Sequence, residues 1–220
     1  SSESFAPLFV ESGGIEALAI FTNSTSHKKG ISSRDNVMIS ECLKIFNYLV
    51  EMSIKSILTS SSAVKSIANC LGNASDLVRI QSIEVMEKIC NLEPHAGPEL
   101  VLEAINAYCN EAGEEFRFFA LHQMLASPDT QLDAKAVTLS LINCLVDSIE
   151  DLEDRFTIRT ELMRMGFQEL FAQLKSSENF LLLNGIETYE EEANADYEDM
   201  LCRFNKRLVV DKIRSAREGG

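Results

Sequence analysis

The chain has 220 residues, of which 45% are hydrophobic and 25% are charged, as in ordinary folded soluble proteins. Its net charge of -14 argues against nucleic acid and anionic membrane surfaces as partners, because both need clustered Lys and Arg. No apolar stretch is long enough to span a membrane. The acidity favours a basic partner or serves only solubility, and composition alone leaves both interpretations open.

Apolar residues recur at helical spacing along the chain, and no segment shows the period of two that strands require. The pattern predicts four medium-length helices, over residues 14–21, 63–71, 99–109 and 167–175. It also predicts four long helices, which begin near Asp35, Ser75, Asp133 and Glu187.

Capping residues mark several of these boundaries. Asp35, Ser75 and Asp133 are predicted N-caps, because their side chains can accept hydrogen bonds from the first free amides of a helix. Gly72 and Gly166 are predicted left-handed residues that end the preceding helices.

The predicted long helices start 40, 58 and 54 residues apart, close to or longer than an armadillo or HEAT unit. Such helix pairs bury their apolar faces only by stacking. We therefore predict an all-α, armadillo/HEAT-like right-handed superhelix of about four units over residues 1–186. A long C-terminal helix over 187–220 would lead toward a dimerisation or linker region. A globular helical bundle is the alternative.

No enzymatic motif or metal-ligand spacing is present. His27, His95 and His122 are isolated from one another. Cysteines lie inside apolar runs without CxxC spacing, which favours reduced core thiols over a zinc site, at Cys42, Cys70, Cys90, Cys109, Cys144 and Cys202. We therefore expect no metal, no cofactor and no enzymatic activity.

The third long helix, from Asp133 to Asp147, is apolar on nearly every side. Such a helix is either deeply buried or presents a second face to a partner, and the concave side lined by the long helices is the usual binding surface of such a stack. Asn143 lies among these apolar residues. It either ties down a neighbouring loop or holds the backbone of an inserted peptide helix, and the sequence leaves both open.

Two acidic clusters border this predicted surface. The first lies at the end of the third long helix, where the helix dipole disfavours anions, and comprises Asp147, Glu150, Asp151, Glu153 and Asp154. The second lies at the start of the last long helix, where the dipole favours them, and comprises Glu187, Glu190, Glu191, Glu192, Asp196, Glu198 and Asp199. The first cluster is therefore the better candidate for a role outside the fold.

Residues 152–166, Leu-Glu-Asp-Arg-Phe-Thr-Ile-Arg-Thr-Glu-Leu-Met-Arg-Met-Gly, closely resemble a segment of the Diaphanous-related formins. The Leu-Ile-Asn-Cys-Leu segment at 141–145 resembles the helix that precedes it in that family. The similarity is specific over 136–174 and weaker but collinear back to Asp35. Arg159, Glu161 and Arg164 are expected to be packing and inter-helix pairing residues.

The resemblance implies the armadillo part of the GTPase-binding/FH3 region, also called the Diaphanous inhibitory domain. In that family the concave groove binds an amphipathic autoregulatory helix from the chain's own C-terminus, and a basic cluster follows that helix. A Rho-family GTPase binds more N-terminal units and releases the helix, so that downstream domains assemble actin. A cytoplasmic, cytoskeleton-associated protein is implied, with room for a homodimer through segments beyond this chain.

Helical phase assigns the groove residues, charge clustering assigns the acidic patch, and the family resemblance implies the GTPase contacts. The predicted peptide groove comprises Gln81, Glu84, Lys88, Ala136, Leu139, Ser140, Asn143 and Asp147. The predicted acidic partner patch comprises Glu150, Asp151, Glu153 and Asp154. Predicted GTPase contacts are Asn47 and Tyr48, although only Asn47 corresponds to the Asn-rich turn of the family. The alternative function is a generic armadillo scaffold or adaptor for another extended or helical peptide.

Overall fold

The computed structural model describes residues 5–28 and 30–218, with side chains described for 6–28 and 30–207. These residues form helices and short connections, without a strand. The α-helices are α1 (Phe5–Glu11), α2 (Gly14–Ser26), α3 (Ser33–Leu58), α4 (Ser61–Ala68), α5 (Asp76–Leu92), α6 (Ala96–Ala112), α7 (Phe119–Ala126), α8 (Leu132–Asp147), α9 (Leu152–Arg164), α10 (Phe167–Leu174) and α11 (Phe180–Glu218). A 3-10 turn, Asn69–Gly72, follows α4.

The helices form two layers. The long helices α3, α5, α8 and α11 pack side by side in chain order, while α2, α4 and α6 pack in succession behind them. Each long helix is thus the last helix of one unit, and neighbouring units share their buried faces. The predicted all-α, armadillo-like solenoid is confirmed.

The N-terminus of α3 differs in detail from the prediction. Ser32 is the N-cap, and its hydroxyl accepts a hydrogen bond from the Asp35 amide at 3.2 Å. The Asp35 carboxylate in turn accepts from the Ser32 amide at 3.0 Å, which completes a capping box. Asp35 is therefore the third helical residue and not the N-cap.

The other predicted boundary residues gave mixed results. Ser75 occupies the N-cap position of α5, whereas Asp133 lies inside α8, behind the N-cap Gln131. Gly166 has the predicted left-handed conformation, with φ of 84°. The prediction for Gly72 is wrong because its φ is not positive. A side chain there would instead approach the Tyr108 ring to 3.2 Å.

The last long helix begins at Phe180, not near Glu187. The Asn179 side chain caps it by accepting a hydrogen bond from the Leu182 amide at 2.9 Å, and donates to Asp133 at 2.7 Å. The first turns of α11 pack on α8, with Ile186 fully buried. The predicted boundary at 186/187 therefore falls inside a continuous helix.

Aromatic packing joins α10 to α11 in the last unit. The Phe167 and Phe171 rings are 5.4 Å apart, and Tyr189 of α11 meets Phe171 edge-on at 5.1 Å. Both phenylalanines are about 1% exposed. Burying such a ring contributes roughly 2–3 kcal/mol, so this cluster helps to hold α11 on the solenoid.

A buried ionic network fixes α11 to α8 and α9. Asp196 of α11 is 3% exposed and accepts hydrogen bonds from Arg155 Nε at 2.8 Å and Arg159 Nε at 2.5 Å. Arg159 also donates to Asp147 at 3.0 Å, and its guanidinium lies 5.2 Å from the Tyr189 ring centroid. Buried charges need this degree of pairing, because an unpaired one carries a large desolvation cost.

The predicted pairing role is confirmed for Arg159 and Glu161. Glu161 of α9 accepts from the Arg117 amide at 2.7 Å and from Arg117 Nε at 2.9 Å, which links the last two units. Arg164 lies exposed at the end of α9.

Replacing Asp196 by Asn should lower the free energy of unfolding by about 3 kcal/mol, because the buried Arg159 and the half-buried Arg155 lose their common carboxylate. Burial alone would raise the pKa of Asp196, but hydrogen bonds from Arg155 and Arg159 outweigh it and hold the pKa below its ordinary 3.8. The stabilisation is therefore complete above about pH 4 and lost as the pH falls further.

Urea unfolding at several pH values measures this effect. The exposed Asp199→Asn variant on the same helix is the matched control and should change stability by less than about 0.5 kcal/mol. Equal losses in the two variants would contradict the assignment of Asp196 as the residue that holds α11 in place.

Candidate functional site

The layer of long helices has one open face, which we call the long-helix face. Contacts between neighbouring helices place their side chains on it. Lys88 of α5 pairs with Glu51 of α3 at 2.5 Å. Ser140 of α8 donates to Glu87 of α5 at 3.0 Å. The face therefore continues across α3, α5, α8 and the first turns of α11.

One edge of this face is apolar. The first turns of the four long helices carry exposed hydrophobic side chains, which we call the apolar rim: Val37, Leu77, Leu132, Phe180 and Leu181. Neighbouring helix starts lie close together, since Val37 and Leu77 line one cavity of about 430 Å³. An exposed apolar row of this extent is typical of a surface that meets a partner.

The opposite end of the face is acidic. Glu51, Glu84, Asp147 and Glu191 are exposed there, with Lys88 as a compensating cation. Burial raises the pKa of Glu84, and Lys88 partly opposes this. These carboxylates favour a basic ligand at this end.

A cavity of about 390 Å³ opens between α8 and α11. Its walls are formed by Glu87, Ala136, Val137, Ser140, Asn143, Leu181, Asn184, Gly185 and Thr188. The Asn143 amide group donates to the Gly185 carbonyl at 2.8 Å. Its buried Oδ1 has no hydrogen-bond partner among the described residues. Asn143 thus ties α8 to helix α11, and not to a loop as one interpretation predicted, and it retains an unused acceptor.

The predicted groove residues on α5 lie on the long-helix face. Glu84 is exposed and Lys88 half-buried, while Gln81 has a buried Oε1 without a partner in the described structure. Two residues with unused acceptors, Gln81 and Asn143, therefore lie on neighbouring helices. A ligand with hydrogen-bond donors would remove the cost of leaving these buried oxygens unpaired.

The predicted groove residues on α8 divide into two groups. Ser140 and Asn143 line the α8/α11 cavity, together with the largely buried Ala136. Asp147 lies further along the helix and is held by Arg159. Burial raises the pKa of Asp147, and Arg159 opposes this shift.

The prediction that Leu139 lines the peptide groove is wrong. It is completely buried, and a Cβ on Gly185 of α11 would lie 3.2 Å from it, so α11 covers it. Leu139 belongs to the core and cannot line an open groove. The second apolar side of α8 is therefore explained by burial under α11.

The acidic partner patch has a different structural setting from the predicted one. Asp151 is the N-cap of α9 and accepts from the amides of Glu153 at 2.8 Å and Asp154 at 3.0 Å. These acids therefore occupy a helix N-terminus, where the dipole favours them. Glu153 pairs with Arg207 of α11 at 2.6 Å, and Glu150 and Asp154 remain exposed.

The predicted GTPase contacts lie in the middle of α3. Asn47 and Tyr48 are both half-buried, and Tyr48 packs against the core. They are distant in sequence from the apolar rim at Val37 and sit nearer the Glu51 end of the helix.

Sequence reasoning missed the residues of α11 that complete the cavity: Leu181, Asn184, Gly185 and Thr188. The error followed from starting this helix near Glu187. Asn179 before an apolar run was the available signal, because Asn is a favoured N-cap.

The described side chains contain no group of three or more His, Cys, Asp or Glu that would hold a metal ion. Cys42, Cys70, Cys90 and Cys109 are buried, as expected for core thiols. Cys144 is half-buried, and the prediction is wrong for Cys202, which is exposed on α11. Within the described residues, no helix has the length and hydropathy needed to cross a bilayer.

Truncation to alanine should lower the stability of the fold strongly at Leu139 and hardly at all at Leu181. Leu139→Ala leaves a cavity beneath α11 and should cost about 3 kcal/mol of unfolding free energy. Leu181 is 66% exposed, so Leu181→Ala should change stability by less than about 0.5 kcal/mol. Urea unfolding of both variants provides the measurement, and a Leu139→Ala variant as stable as the parent would disprove its burial.

Comparison with known proteins gives relatives along most of the chain. Formin-A of Dictyostelium discoideum is 27% identical over 212 residues, covering 90% of this chain and 17% of that protein. Human Formin-like protein 2 is 27% identical over 161 residues, covering 72% of this chain and 14% of that protein. The Dictyostelium discoideum Ras guanine nucleotide exchange factor V is 21% identical over 208 residues, covering 94% of this chain and 10% of that protein.

The chain spans less than a fifth of the length of these relatives. The model of the Diaphanous FH3 domain matches residues 98–218, which include the ionic network around Asp196 and every wall of the α8/α11 cavity except Glu87. Since this match extends over more than half of the chain, the protein belongs to the Diaphanous FH3 domain family, as the resemblance of residues 152–166 indicated.

Proposed function

We propose that this chain is the regulatory protein-binding module of an actin-assembling formin, and that its long-helix face binds an amphipathic helix from the C-terminus of the same protein. The observation that carries the proposal is the separation of the apolar rim from the acidic end on one face. A ligand helix with one apolar side and a basic tail matches both ends.

The dimensions of the face suit a helix of moderate length. Packed helices lie about 8–10 Å apart, so a ligand that crosses four long helices spans roughly 30 Å. An α-helix rises 1.5 Å per residue, so about 20 residues cover this distance. The apolar side of such a helix would pack along Val37, Leu77, Leu132 and Leu181, which are exposed in the free chain.

The unused acceptors add directionality to this apolar contact. Asn143 Oδ1 and Gln81 Oε1 are both buried without a partner in the described structure. The first amides of an α-helix have no partner within their own helix, and polar ligand side chains are alternative donors. A ligand that supplies donors at these points gains about 1 kcal/mol or more per satisfied group.

A basic segment after the ligand helix would lie near the acidic end. Glu84, Asp147 and Glu191 are exposed or half-shielded by their neighbours there. Surface charge pairs of this kind contribute more to association rate and specificity than to affinity, and salt screens them. Binding of the basic segment should therefore weaken as ionic strength rises.

We propose in addition that a Rho-family GTPase binds the more N-terminal units, near Asn47 on α3, and releases the ligand helix. The support is the family membership together with the continuity of the face from α3 to α5 through the Lys88–Glu51 pair. Release of the ligand helix requires that the GTPase bind the free chain more tightly than the helix-bound chain.

Titration calorimetry with a Leu-rich amphipathic peptide carrying a basic tail tests the main proposal. Leu181→Asp should weaken binding at least roughly tenfold, which corresponds to about 1.4 kcal/mol, because it places a carboxylate in the apolar contact. Adding the GTPase bound to a GTP analogue should displace the peptide.

Ile20→Asp is the matched control, since Ile20 is 69% exposed on α2, in the layer behind the long helices. It should bind the peptide like the parent chain. Equal weakening by Ile20→Asp and Leu181→Asp, or no effect of either, would rule out the proposed groove.

The second candidate function is an armadillo scaffold within a protein other than a formin. The similarity to a protein named Ras guanine nucleotide exchange factor V favours it, because that relative covers 94% of this chain. Both candidate functions are compatible with binding of the amphipathic peptide. Only the first, the formin module, implies that the whole protein assembles actin. In either case the proposed role is protein binding, without catalysis, in a cytoplasmic protein associated with the cytoskeleton.

A further inference from the structure

Two free cysteines meet at the boundary between α5 and α8. The thiols of Cys90 on α5 and Cys144 on α8 lie within hydrogen-bond reach of each other. About one turn earlier along both helices, Ser140 of α8 donates to Glu87 of α5 at 3.0 Å. The two contacts therefore belong to one row along the packed surfaces of α5 and α8, and the fold itself holds the thiols together.

The two thiols differ in their access to solvent. Cys90 is completely buried, whereas Cys144 is half-buried. Spacings of four and three residues place Cys144 on the side of α8 that carries Ser140 and Asp147, which is the side toward the long-helix face. A small oxidant in solution can therefore reach Cys144, while Cys90 lies in the core behind it.

The contact also gives the two thiols different acidity. The hydrogen bond with Cys90 holds the pKa of Cys144 below its ordinary 9.0, although burial and nearby carboxylates oppose this shift. The same hydrogen bond, together with burial, raises the pKa of Cys90. Burial raises the pKa of Cys70 to about 12, and it also raises the pKa of Cys42 and of Cys109. Because the thiolate is the form that reacts with oxidants, Cys144 is the most reactive of these five thiols.

We propose that Cys144 and Cys90 form an oxidation site, at which hydrogen peroxide converts the two thiols to a disulfide that ties α8 to α5. The Cys144 thiolate attacks one peroxide oxygen and the O–O bond breaks, which leaves a sulfenic acid and a hydroxide that takes up the proton lost by Cys144. The Cys90 thiol then attacks the sulfenic sulfur, so that the S–S bond forms and the S–O bond breaks, and water leaves with the Cys90 proton. One peroxide is reduced to two waters while two thiols are oxidised, and a small dithiol reverses the reaction by exchange.

The bond has a structural consequence for the solenoid. A disulfide holds its sulfur atoms about 2.05 Å apart, which fixes the spacing of the two helices that it joins. It also closes a loop over residues 90–144 and so removes conformational entropy from the unfolded chain. Neither cysteine is among the walls of the α8/α11 cavity, and the reaction needs no peptide, so the site is independent of the proposed function.

Mass spectrometry of the folded chain treated with hydrogen peroxide tests the site, in a Cys202→Ser background that removes the exposed thiol of α11. The chain should lose the mass of two hydrogen atoms, and its digest should contain a linked pair of peptides that carry Cys90 and Cys144. The oxidised chain should also unfold at a higher urea concentration than the reduced chain. Cys109→Ser is the matched control, because it removes another buried helical thiol and should leave the linkage intact. Unmodified thiols, or a linkage between other cysteines, would overturn the proposal.

A Cys90→Ser variant in the same background separates the first chemical step from the second. It lacks the thiol that would attack the sulfenic acid, so the sulfenic acid should persist on Cys144 and react with dimedone, a reagent selective for sulfenic acids. The dimedone adduct should therefore appear on Cys144 in this variant and be absent from the oxidised parent. An adduct on Cys109 in place of Cys144, or none at all, would contradict the assignment of Cys144 as the thiol that peroxide attacks.

Discussion

The contact of Asp196 with Arg155 and Arg159 determines where the last long helix lies. Asp196 is almost fully buried, and its two arginine partners belong to α9. Since Arg159 also reaches Asp147, a single network joins the end of α8 to α9 and α11. Without this anchor, α11 would retain apolar packing, the Asn143–Gly185 hydrogen bond and two exposed ion pairs, Arg207 with Glu153 and Lys175 with Glu190.

The position of α11 in turn creates the candidate groove. Its first turns cover Leu139 and turn α8 into a core helix, and they place Leu181, Asn184 and Thr188 beside Asn143. A structural anchor on one side of the unit thus defines a binding surface on the other.

The arrangement of charge also follows from the helices. Acids at the N-terminus of α9 cap that helix through Asp151, so part of the acidic patch serves the fold. The carboxylates that remain for a ligand lie at the far end of the long-helix face, around Glu84 and Asp147. Net charge alone did not separate these two uses, because it contains no information on position.

Much of the fold was accessible from the sequence. Helical periodicity predicted the solenoid, and residues 152–166 indicated the family that the match over 98–218 shows. The residues of the site were less accessible, because helical phase does not reveal which side of α8 a later helix covers. Leu139 was therefore misplaced, and the start of α11 at Phe180 was missed because the acidic run from Glu187 was taken as the helix start.

Amide hydrogen exchange of the intact chain, with and without the amphipathic peptide, tests the proposed groove most directly. The account predicts slower exchange in α5, in α8 and in the first turns of α11 when the peptide is saturating, with α4 and α6 unchanged. Protection confined to α2, α4 and α6, on the other layer of the solenoid, would contradict it.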